Sequence, residues 1–268
     1  MKITTSRDGT TLAYEELGNG PPLVLVDGAL CRREFGPMPA LAPLLAPQFT
    51  VFHYDRRGRG DSGDTAPYAV EREVEDLAAI FEAAGGSAFL YGISSGAVLA
   101  LRGAASGLRV KKLVVYEPPF VLDDSHRLDP PDFQERIRAM VAAGDRDGAV
   151  KLFMKVVGVP SFGIFVMRLI PKVWPNLRAV AHTLPYDFAV LGDTQKGNGL
   201  PAELRAVLSA ISAPTVALSG GKSPPYLHQG AKVVAETVRG ATFSVVPKQN
   251  HNVAAKAIAP ILREAFAS

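Results

Sequence analysis

The sequence predicts an α/β fold in which a mainly parallel β-sheet is flanked by helices, and three observations support this prediction. Short apolar runs suited to buried strands alternate along the chain with segments of helical periodicity. Around Ser94, a strand, a tight turn between glycines and a helix follow one another directly. No strand-like run occurs from residue 120 to residue 199, which predicts an all-helical cap inserted before the last two strands.

The first part of the chain contains five predicted strands, bounded by polar or glycine-rich turns. An alternating pattern predicts the first strand, and mostly continuous apolar runs predict the others. The strands are expected over residues 11–17, 23–26, 49–54, 88–91 and 112–116, and the helices over 37–45, 70–84 and 95–105. The helix over 70–84 ends at Gly85-Gly86, an expected C-terminal cap.

The cap is predicted to consist of several helices. One begins at Asp129-Pro130, a capping residue followed by a first-turn proline, and ends before Gly144. Two more are expected over about 147–157 and 164–170, and strand and helix alternation then resumes over 215–219, 226–237, 242–246 and 255–266. We therefore expect a core domain of residues 1–119 and 200–268, with residues 120–199 forming the cap.

The charge of the chain is concentrated in one segment. The 268 residues carry a formal net charge of +3. Residues 148–186 contain five Lys or Arg residues and no Asp or Glu, while the rest of the chain holds 24 basic and 26 acidic residues. Because no cluster of Lys and Arg resembles a nucleic-acid footprint, we expect no nucleic-acid partner.

Cysteine content and the N-terminal sequence bear on the compartment. Cys31 is the single cysteine, so the chain has no intrachain disulfide, which fits a reducing compartment. The N-terminus lacks an apolar core of signal-peptide length, and no stretch is long enough to span a membrane. We expect a cytoplasmic protein without stable membrane insertion.

Ser94 is the candidate nucleophile. It lies in Gly92-Ile93-Ser94-Ser95-Gly96, and glycines suit a sharp strand-to-helix turn because backbone segments there leave little room for Cβ atoms. The following helix offers free N–H groups and the positive end of its dipole where an oxyanion would form. Such a pattern also occurs in ordinary Gly/Ser-rich turns, and the strand-then-helix context favours the nucleophile.

Several motifs in the same order resemble the α/β-hydrolase fold family over nearly the whole chain. They are the elbow at Ser94, Val26-Asp27-Gly28-Ala29 at the place of the family's oxyanion loop, the run from Asp55 to Ser62, and Asn250-His251-Asn252 after the last strand. The resemblance implies His251 as the general base. His53, His126, His182 and His228 are expected to be buried, structural or exposed to solvent, with a substrate contact open for the two in the cap.

The acidic residue that would orient the base His251 departs from the commonest family pattern. The family usually carries an Asp beyond the strand over 215–219, where this chain has Ser223, and a serine cannot balance an imidazolium. Some members take the acid from the end of the preceding strand, which here implies Glu117. Because residues before proline favour extended conformation, Glu117 should project toward the site. Asp193 in the cap is the rival acid.

The resemblance also implies an oxyanion hole made by the backbone N–H groups of Ala29 and Ser95. Asp27 stands where the family usually has a histidine. An ionised carboxylate facing the oxyanion would oppose its stabilisation, so Asp27 must turn away, be paired or be protonated. Bonding within its own loop is the role we favour. Asp55 and the glycines after it are expected to form a structural turn.

The predicted function is that of a serine hydrolase of carboxylesterase type. The substrate is predicted to be a carboxylic ester or lactone of a small to medium molecule. This molecule is expected to be largely apolar, because residues 152–174 of the cap are rich in apolar side chains. Most of these are expected to pack within the cap and the remainder to line a pocket. Two explanations of the basic cap segment stay open. It attracts an anionic substrate or an anionic membrane surface, or it is simply a solvated face.

Two other groups of functions stay open at this point. Carbon–carbon bond hydrolysis and perhydrolysis use nearly the same residues, and a non-hydrolytic ligand-binding protein or cyclase could keep the fold. A serine instead of an aspartate at the elbow argues against dehalogenases and epoxide hydrolases. We expect no cofactor and no metal, a small-molecule substrate as the partner, and leave a homodimer open.

Overall fold

The computed structural model describes residues 1–124, 126, 128 and 130–267. An eight-stranded sheet forms its centre, in the strand order β1-β2-β4-β3-β5-β6-β7-β8. The strands are β1 (Lys2–Thr5), β2 (Thr11–Leu17), β3 (Pro22–Val26), β4 (Thr50–Tyr54), β5 (Ala88–Ile93), β6 (Val110–Tyr116), β7 (Thr215–Gly220) and β8 (Thr242–Val246).

Strands β3 to β8 run parallel, whereas β1 and β2 pair antiparallel at one edge. The register aligns the ends of the central strands: Val26 pairs with Gly92, Ile93 with Tyr116, and Gly220 with Val246. The loops that follow β3, β5, β6, β7 and β8 therefore meet at one edge of the sheet, the place where ligands bind in open α/β sheets.

Eleven helices occur in the described part of the chain. They are α1 (Met38–Leu45), α2 (Val70–Ala83), α3 (Ser95–Ala105), α4 (Phe133–Ala142), α5 (Arg146–Val156), α6 (Ser161–Leu169), α7 (Val173–Ala179), α8 (Leu184–Leu191), α9 (Ala202–Ala210), α10 (Pro225–Thr237) and α11 (Ala255–Ala267). Helices α2, α3, α9 and α10 cover one face of the sheet, and α1 and α11 cover the other. Both faces are buried, which explains why the central strands are continuous apolar runs.

Helices α4 to α8 lie between β6 and β7 and form an apolar cluster of their own. Phe133, Ile137, Val150 and Phe188 are buried in it. Leu30, from the loop after β3, is buried in the same cluster, so this helical segment packs against that loop. The predicted α/β fold, with a helical insertion before the last two strands, is confirmed.

Local differences from the sequence-based expectations have simple causes. Strand β1 was not predicted, because its side chains are largely exposed and carry no apolar alternation. The predicted helix start at Asp129 lies outside the described residues, and α4 begins at Phe133. Helices α7 to α9 are short and were not predicted individually. Within the ranges that the structure describes, no helix has both the length and the apolar character needed to cross a membrane.

Candidate active site

Ser94 lies at the junction of β5 and α3 in a conformation rarely adopted by residues other than glycine. Its φ is 57° and its ψ is −129°. A Cβ atom at Gly96 would collide with the carbonyl oxygens of Val26 and Asp27, and one at Gly92 would collide with the carbonyl oxygen of Gly96. The two glycines thus allow the tight turn that places Ser94 at the sheet edge.

The structure brings Ser94, His251 and Glu117 into one chain of hydrogen bonds. The Nε2 atom of His251 lies 3.2 Å from the Oγ atom of Ser94, and its Nδ1 atom lies 2.7 Å from Oε2 of Glu117. The Glu117 side chain is fully buried, while the His251 side chain is 38% exposed. Sequence reasoning placed these three residues together, and their distances fit a nucleophile, a base and an orienting acid.

Two contacts fix the Glu117 carboxylate and the loop of His251. The backbone N–H of Gly220 donates to Oε1 of Glu117 at 2.6 Å, leaving Oε2 for the imidazole. The hydroxyl of Tyr116 donates to the carbonyl of Asn250 at 2.6 Å, next to His251. The first contact joins the ends of the neighbouring strands β6 and β7, and the second runs from the end of β6 to the loop after β8, so the sheet itself sets the distance between acid and base.

The backbone at Glu117 differs from the extended conformation expected before a proline. Its φ is 48°, and its N–H donates to the carbonyl of Leu218 at 3.0 Å. Tertiary contacts of the main chain and of the carboxylate have overridden the local preference. The Glu117 carboxylate lies within hydrogen-bond distance of His251, although its backbone is not extended.

The two other positions considered for the acid are occupied differently. Asp193 is exposed and pairs with Lys196 at 2.8 Å. Ser223 is buried, its N–H donates to the carbonyl of Gly220, and its Oγ has no hydrogen-bond partner among the described residues. The carboxylate that reaches the His251 ring is that of Glu117.

The remaining histidines have other surroundings. His53 is buried beside Glu15, and burial lowers the pKa of His53. His228 Nδ1 lies 2.7 Å from the Ser219 hydroxyl, and His126 stacks on Tyr226 with ring centroids 4.0 Å apart. Burial also lowers the pKa of His182, which is half-buried.

The loop after β3 borders Ser94, as expected for an oxyanion loop. A Cβ atom at Gly28 would lie 3.0 Å from the Cβ atom of Ser94, so the peptide that links Gly28 to Ala29 is next to the hydroxyl. On the other side, Ser95 is the first residue of α3, where backbone N–H groups lack helical partners. The N–H groups of Ala29 and Ser95 remain the predicted oxyanion donors.

Asp27 is buried and bonded within its own loop. The Gly28 N–H donates to Oδ1 of Asp27 at 3.0 Å. Burial raises the pKa of Asp27 to about 7. Burial, together with the nearby Asp27, also raises the pKa of the Cys31 thiol well above its usual range. A carboxyl that is partly protonated near neutral pH opposes an oxyanion less than a permanently ionised one.

Sequence reasoning missed a buried ionic network beside this loop. Arg56 and Arg59, both about 1–2% exposed, bind the carboxylate of Asp187 from α8. Asp187 also accepts a hydrogen bond of 2.7 Å from the Ser95 hydroxyl. The available signal was three arginines within four residues directly after an apolar strand, a position that demands buried acidic partners.

The Asp55 turn is structural, in line with the sequence reasoning. Its carboxylate accepts from the backbone N–H groups of Arg33 and Asp61. A Cβ atom at Gly60 would overlap that carboxylate, and Gly60 has a φ of 53°. The turn holds the strand end from which Arg56 and Arg59 project.

The apolar side chains of the helical segment divide between core and surface. Val156, Ile164 and Trp174 are buried, as expected for packing within the segment. Others are exposed, and these are Val157, Phe162, Phe165, Val166, Leu169 and Ile170. Within the described residues, no group of three His, Cys, Asp or Glu side chains is arranged to hold a metal ion.

Comparison with known proteins identifies the class. The model of a family described as the alpha/beta hydrolase family matches residues 23–260. The chain therefore belongs to the alpha/beta hydrolase family, and the resemblance seen in its motifs is confirmed.

Solved structures extend this comparison to the whole chain. An alpha/beta hydrolase from Sphaerobacter thermophilus DSM 20745 is 51% identical, with a TM-score of 0.90, over 99% of this chain and 100% of that one. A hydrolase from Pseudomonas aeruginosa PA01 is 25% identical, with a TM-score of 0.72, over 99% and 94%. An enol-lactonase from Burkholderia xenovorans LB400 is similar in fold, at 18% identity and a TM-score of 0.74, over 100% of both chains.

Proposed function

We propose that this protein is a serine hydrolase that cleaves a carboxylic ester or lactone through an acyl-enzyme on Ser94. The observation that carries the proposal is the hydrogen-bonded chain from the Ser94 hydroxyl through His251 to the buried carboxylate of Glu117. A hydroxyl is a weak nucleophile near neutral pH, and an adjacent oriented base is what activates it. A Glu117 carboxylate within hydrogen-bond reach of the His251 ring supports an enzyme over a ligand-binding protein on this fold.

In the first half-reaction, Ser94 Oγ forms a bond to the carbonyl carbon while its proton moves to Nε2 of His251. The carbonyl π electrons move onto oxygen, and the N–H groups of Ala29 and Ser95 hold that oxyanion. The oxyanion then re-forms the carbonyl, the bond to the leaving alkoxide breaks, and His251 returns the proton to it. The products are an alcohol and the acyl-enzyme.

In the second half-reaction, His251 takes a proton from water, and the resulting hydroxide attacks the acyl carbonyl. Collapse of this intermediate breaks the bond to Ser94 Oγ, which regains its proton from His251. The carboxylate of Glu117 orients Nδ1–H of His251 and balances the imidazolium charge. A lactone is opened by the same steps, because its leaving alcohol stays attached to the acyl group.

The substrate is proposed to be small to medium in size and largely apolar. Helices α4 to α8 form an apolar cluster that includes Leu30, one residue after the proposed oxyanion donor Ala29. This contact supports the role of residues 120–199 as a cap over a core of residues 1–119 and 200–268. A cap rich in apolar side chains favours an apolar acyl or alkoxy group.

The partners and compartment follow from the same considerations. A small-molecule substrate fits the proposed reaction. A cytoplasmic location is proposed on the ground that Cys31 is the single cysteine of the chain.

The proposal is tested with p-nitrophenyl esters of increasing acyl length, hydrolysed by the wild type and by Ser94→Ala. We expect turnover to fall at least about 10³-fold in the variant, and the preferred acyl length to report the pocket size. Ser106→Ala is the matched control, because Ser106 caps the opposite end of α3 and its hydroxyl donates to the Gly103 carbonyl. Near-normal hydrolysis by Ser94→Ala would reject the nucleophile.

A further inference from the structure

The carboxylate of Asp187 is connected to both proposed oxyanion donors, to Ala29 through Arg59 and to Ser95 directly. It is 1% exposed and comes from α8, in the helical segment. Its two oxygens accept from Nη2 of Arg59 at 2.9 and 2.8 Å, and Oδ1 also accepts from Nη1 of Arg56 at 2.8 Å and from Oγ of Ser95 at 2.7 Å. Four hydrogen bonds thus converge on one side chain that takes no part in the proposed proton transfers.

Through Arg59, Asp187 acts on the first oxyanion donor. Nη1 of Arg59 donates to the carbonyl oxygen of Gly28 at 2.6 Å. That carbonyl and the N–H of Ala29 belong to the same planar trans peptide, so fixing the oxygen fixes the direction of the N–H. A charged donor on the oxygen also polarises the peptide, which makes its N–H a stronger donor.

Through Ser95, Asp187 acts on the second donor. The Ser95 hydroxyl is anchored on Oδ1 of Asp187, and the N–H of the same residue starts α3 beside Ser94. An anchored side chain restrains the rotation of its own backbone. The hydroxyl is buried, so water does not replace this bond.

The network remains charged although it is buried. Arg56 binds Glu73 with two hydrogen bonds of 2.7 Å and shares Asp187 with Arg59, so two cations face two anions. Burial alone would raise the pKa of Asp187, but Arg59 and Arg56 outweigh it and lower the pKa below its usual value. The cationic end of Arg59 is therefore held against the Gly28 carbonyl.

We propose that Asp187 is a positioning residue that sets the two oxyanion donors through Arg59 and Ser95. It touches neither substrate nor the reacting atoms. The proposal rests on the proposed function of Ser94 and adds to it that the helical segment supplies a part of the oxyanion hole's support.

A second buried ion pair provides a matched control. Arg57 binds Asp76 through two hydrogen bonds of 2.7 Å, and Asp76 is also 1% exposed. The other contacts of Arg57 are with Asp8 and the carbonyl of Arg72. Asp76→Asn therefore weakens a buried Arg–Asp pair of the same kind without touching Gly28 or Ser95.

The test compares Asp187→Asn, Asp76→Asn and the wild type on the best p-nitrophenyl ester. Three quantities are measured: kcat and KM, the inhibition constant of a trifluoromethyl ketone whose adduct places an oxyanion in the hole, and urea-induced unfolding. In Asp187→Asn we expect kcat to fall about 10- to 100-fold and the ketone to bind weaker by a similar factor, with KM nearly unchanged. In Asp76→Asn we expect lower stability with kcat within about twofold of the wild type.

Ser95→Ala keeps the test decisive if Asp187→Asn does not fold. It removes one hydrogen bond of Asp187 and leaves both arginine pairs, and we expect kcat and ketone affinity to fall together by about 3- to 10-fold. The role of Asp187 is rejected if kcat and ketone affinity stay at wild-type values in the folded variants, or if Asp76→Asn lowers them equally. A wild type without Ser94-dependent turnover would instead reject the proposed function, so the two failures are distinguishable.

Discussion

At Ser94 and Glu117, the residues that would do the chemistry hold positive φ angles of 57° and 48°. Such conformations cost about 1–3 kcal/mol for residues other than glycine and persist only where the surroundings impose them. Here the Ser94 N–H donates to the Tyr116 carbonyl and the Glu117 N–H to the Leu218 carbonyl. Each strained residue is thus held by the neighbouring strand.

Replacing Glu117 by glutamine tests the acid. The substitution keeps the shape of the side chain but removes the charge that balances an imidazolium, and it sets an amide against His251 Nδ1 and the Gly220 N–H. We expect kcat to fall about 10³- to 10⁴-fold with the far-UV spectrum unchanged. Asp193→Asn is the control, since Asp193 pairs with Lys196 at the surface. If kcat fell in Asp193→Asn and not in Glu117→Gln, the role of the acid would belong to Asp193 of the helical segment.

Asp27 predicts a dependence of stability on pH. Its pKa is raised from about 4 in the unfolded chain to about 7 in the folded one, so the folded state binds the extra proton. The resulting stabilisation is complete below about pH 4 and is lost as the pH rises through about 7. Asp27→Asn cannot titrate, and between pH 5 and 8 the wild type should lose about 2.5 kcal/mol of unfolding free energy relative to it.

The measurement is urea unfolding of both proteins at several pH values. Groups that do not interact with Asp27 titrate alike in the two proteins and cancel in the difference. Parallel curves of unfolding free energy against pH would show that burial does not raise the pKa of Asp27.

Among the elements, α6 shows where apolar composition misleads. Its sequence is strongly apolar, yet Phe162 is 76% exposed while Ile164, two residues on, is 9% exposed. Composition predicted that most such side chains pack within the cap, but a nine-residue helix can turn only one side toward the apolar cluster. The side of the helix on which a residue lies decides its burial. The sequence of a short helix does not define well which side faces the core.

The two positions in α6 predict different effects on stability. Phe162→Ser should change the free energy of unfolding by less than about 0.5 kcal/mol, because the ring is largely in water and Ser and Phe have similar helix propensities. Ile164→Ala should cost about 2 kcal/mol or more through the cavity it leaves. Urea unfolding of the two variants checks this, and a larger loss for Phe162→Ser would place that ring in a buried contact.

On the scale of the whole molecule, the parallel arrangement of the strands explains what could be predicted from sequence. The elbow strand, the neighbouring strand ends and the loop of His251 were recognisable because each joins a short apolar run to a distinctive turn. In a parallel sheet these turns share one edge, and the resemblance to the α/β-hydrolase family implied His251 as the base and Glu117 as the acid beside Ser94. Their hydrogen-bonded arrangement follows from the register, which pairs Ile93 with Tyr116 and Gly220 with Val246.

The polar network could not be predicted in the same way. Arg59 and Asp187 are 128 residues apart in sequence and belong to elements with no shared pattern. Only the docking of α8 against α3 brings the carboxylate to Ser95 and Arg59. A buried arginine requires an acidic partner, but the sequence does not indicate which of the 26 acidic residues supplies it.

The most direct test of the account is to trap the acyl group. The protein is mixed with p-nitrophenyl acetate, quenched in acid during turnover and digested, and the peptide containing Ser94 is analysed by mass spectrometry. We predict one acetyl group on Ser94, formed together with a burst of p-nitrophenol and absent in Ser94→Ala. Steady hydrolysis with no acetyl group on Ser94, retained in Ser94→Ala, would contradict the central claim.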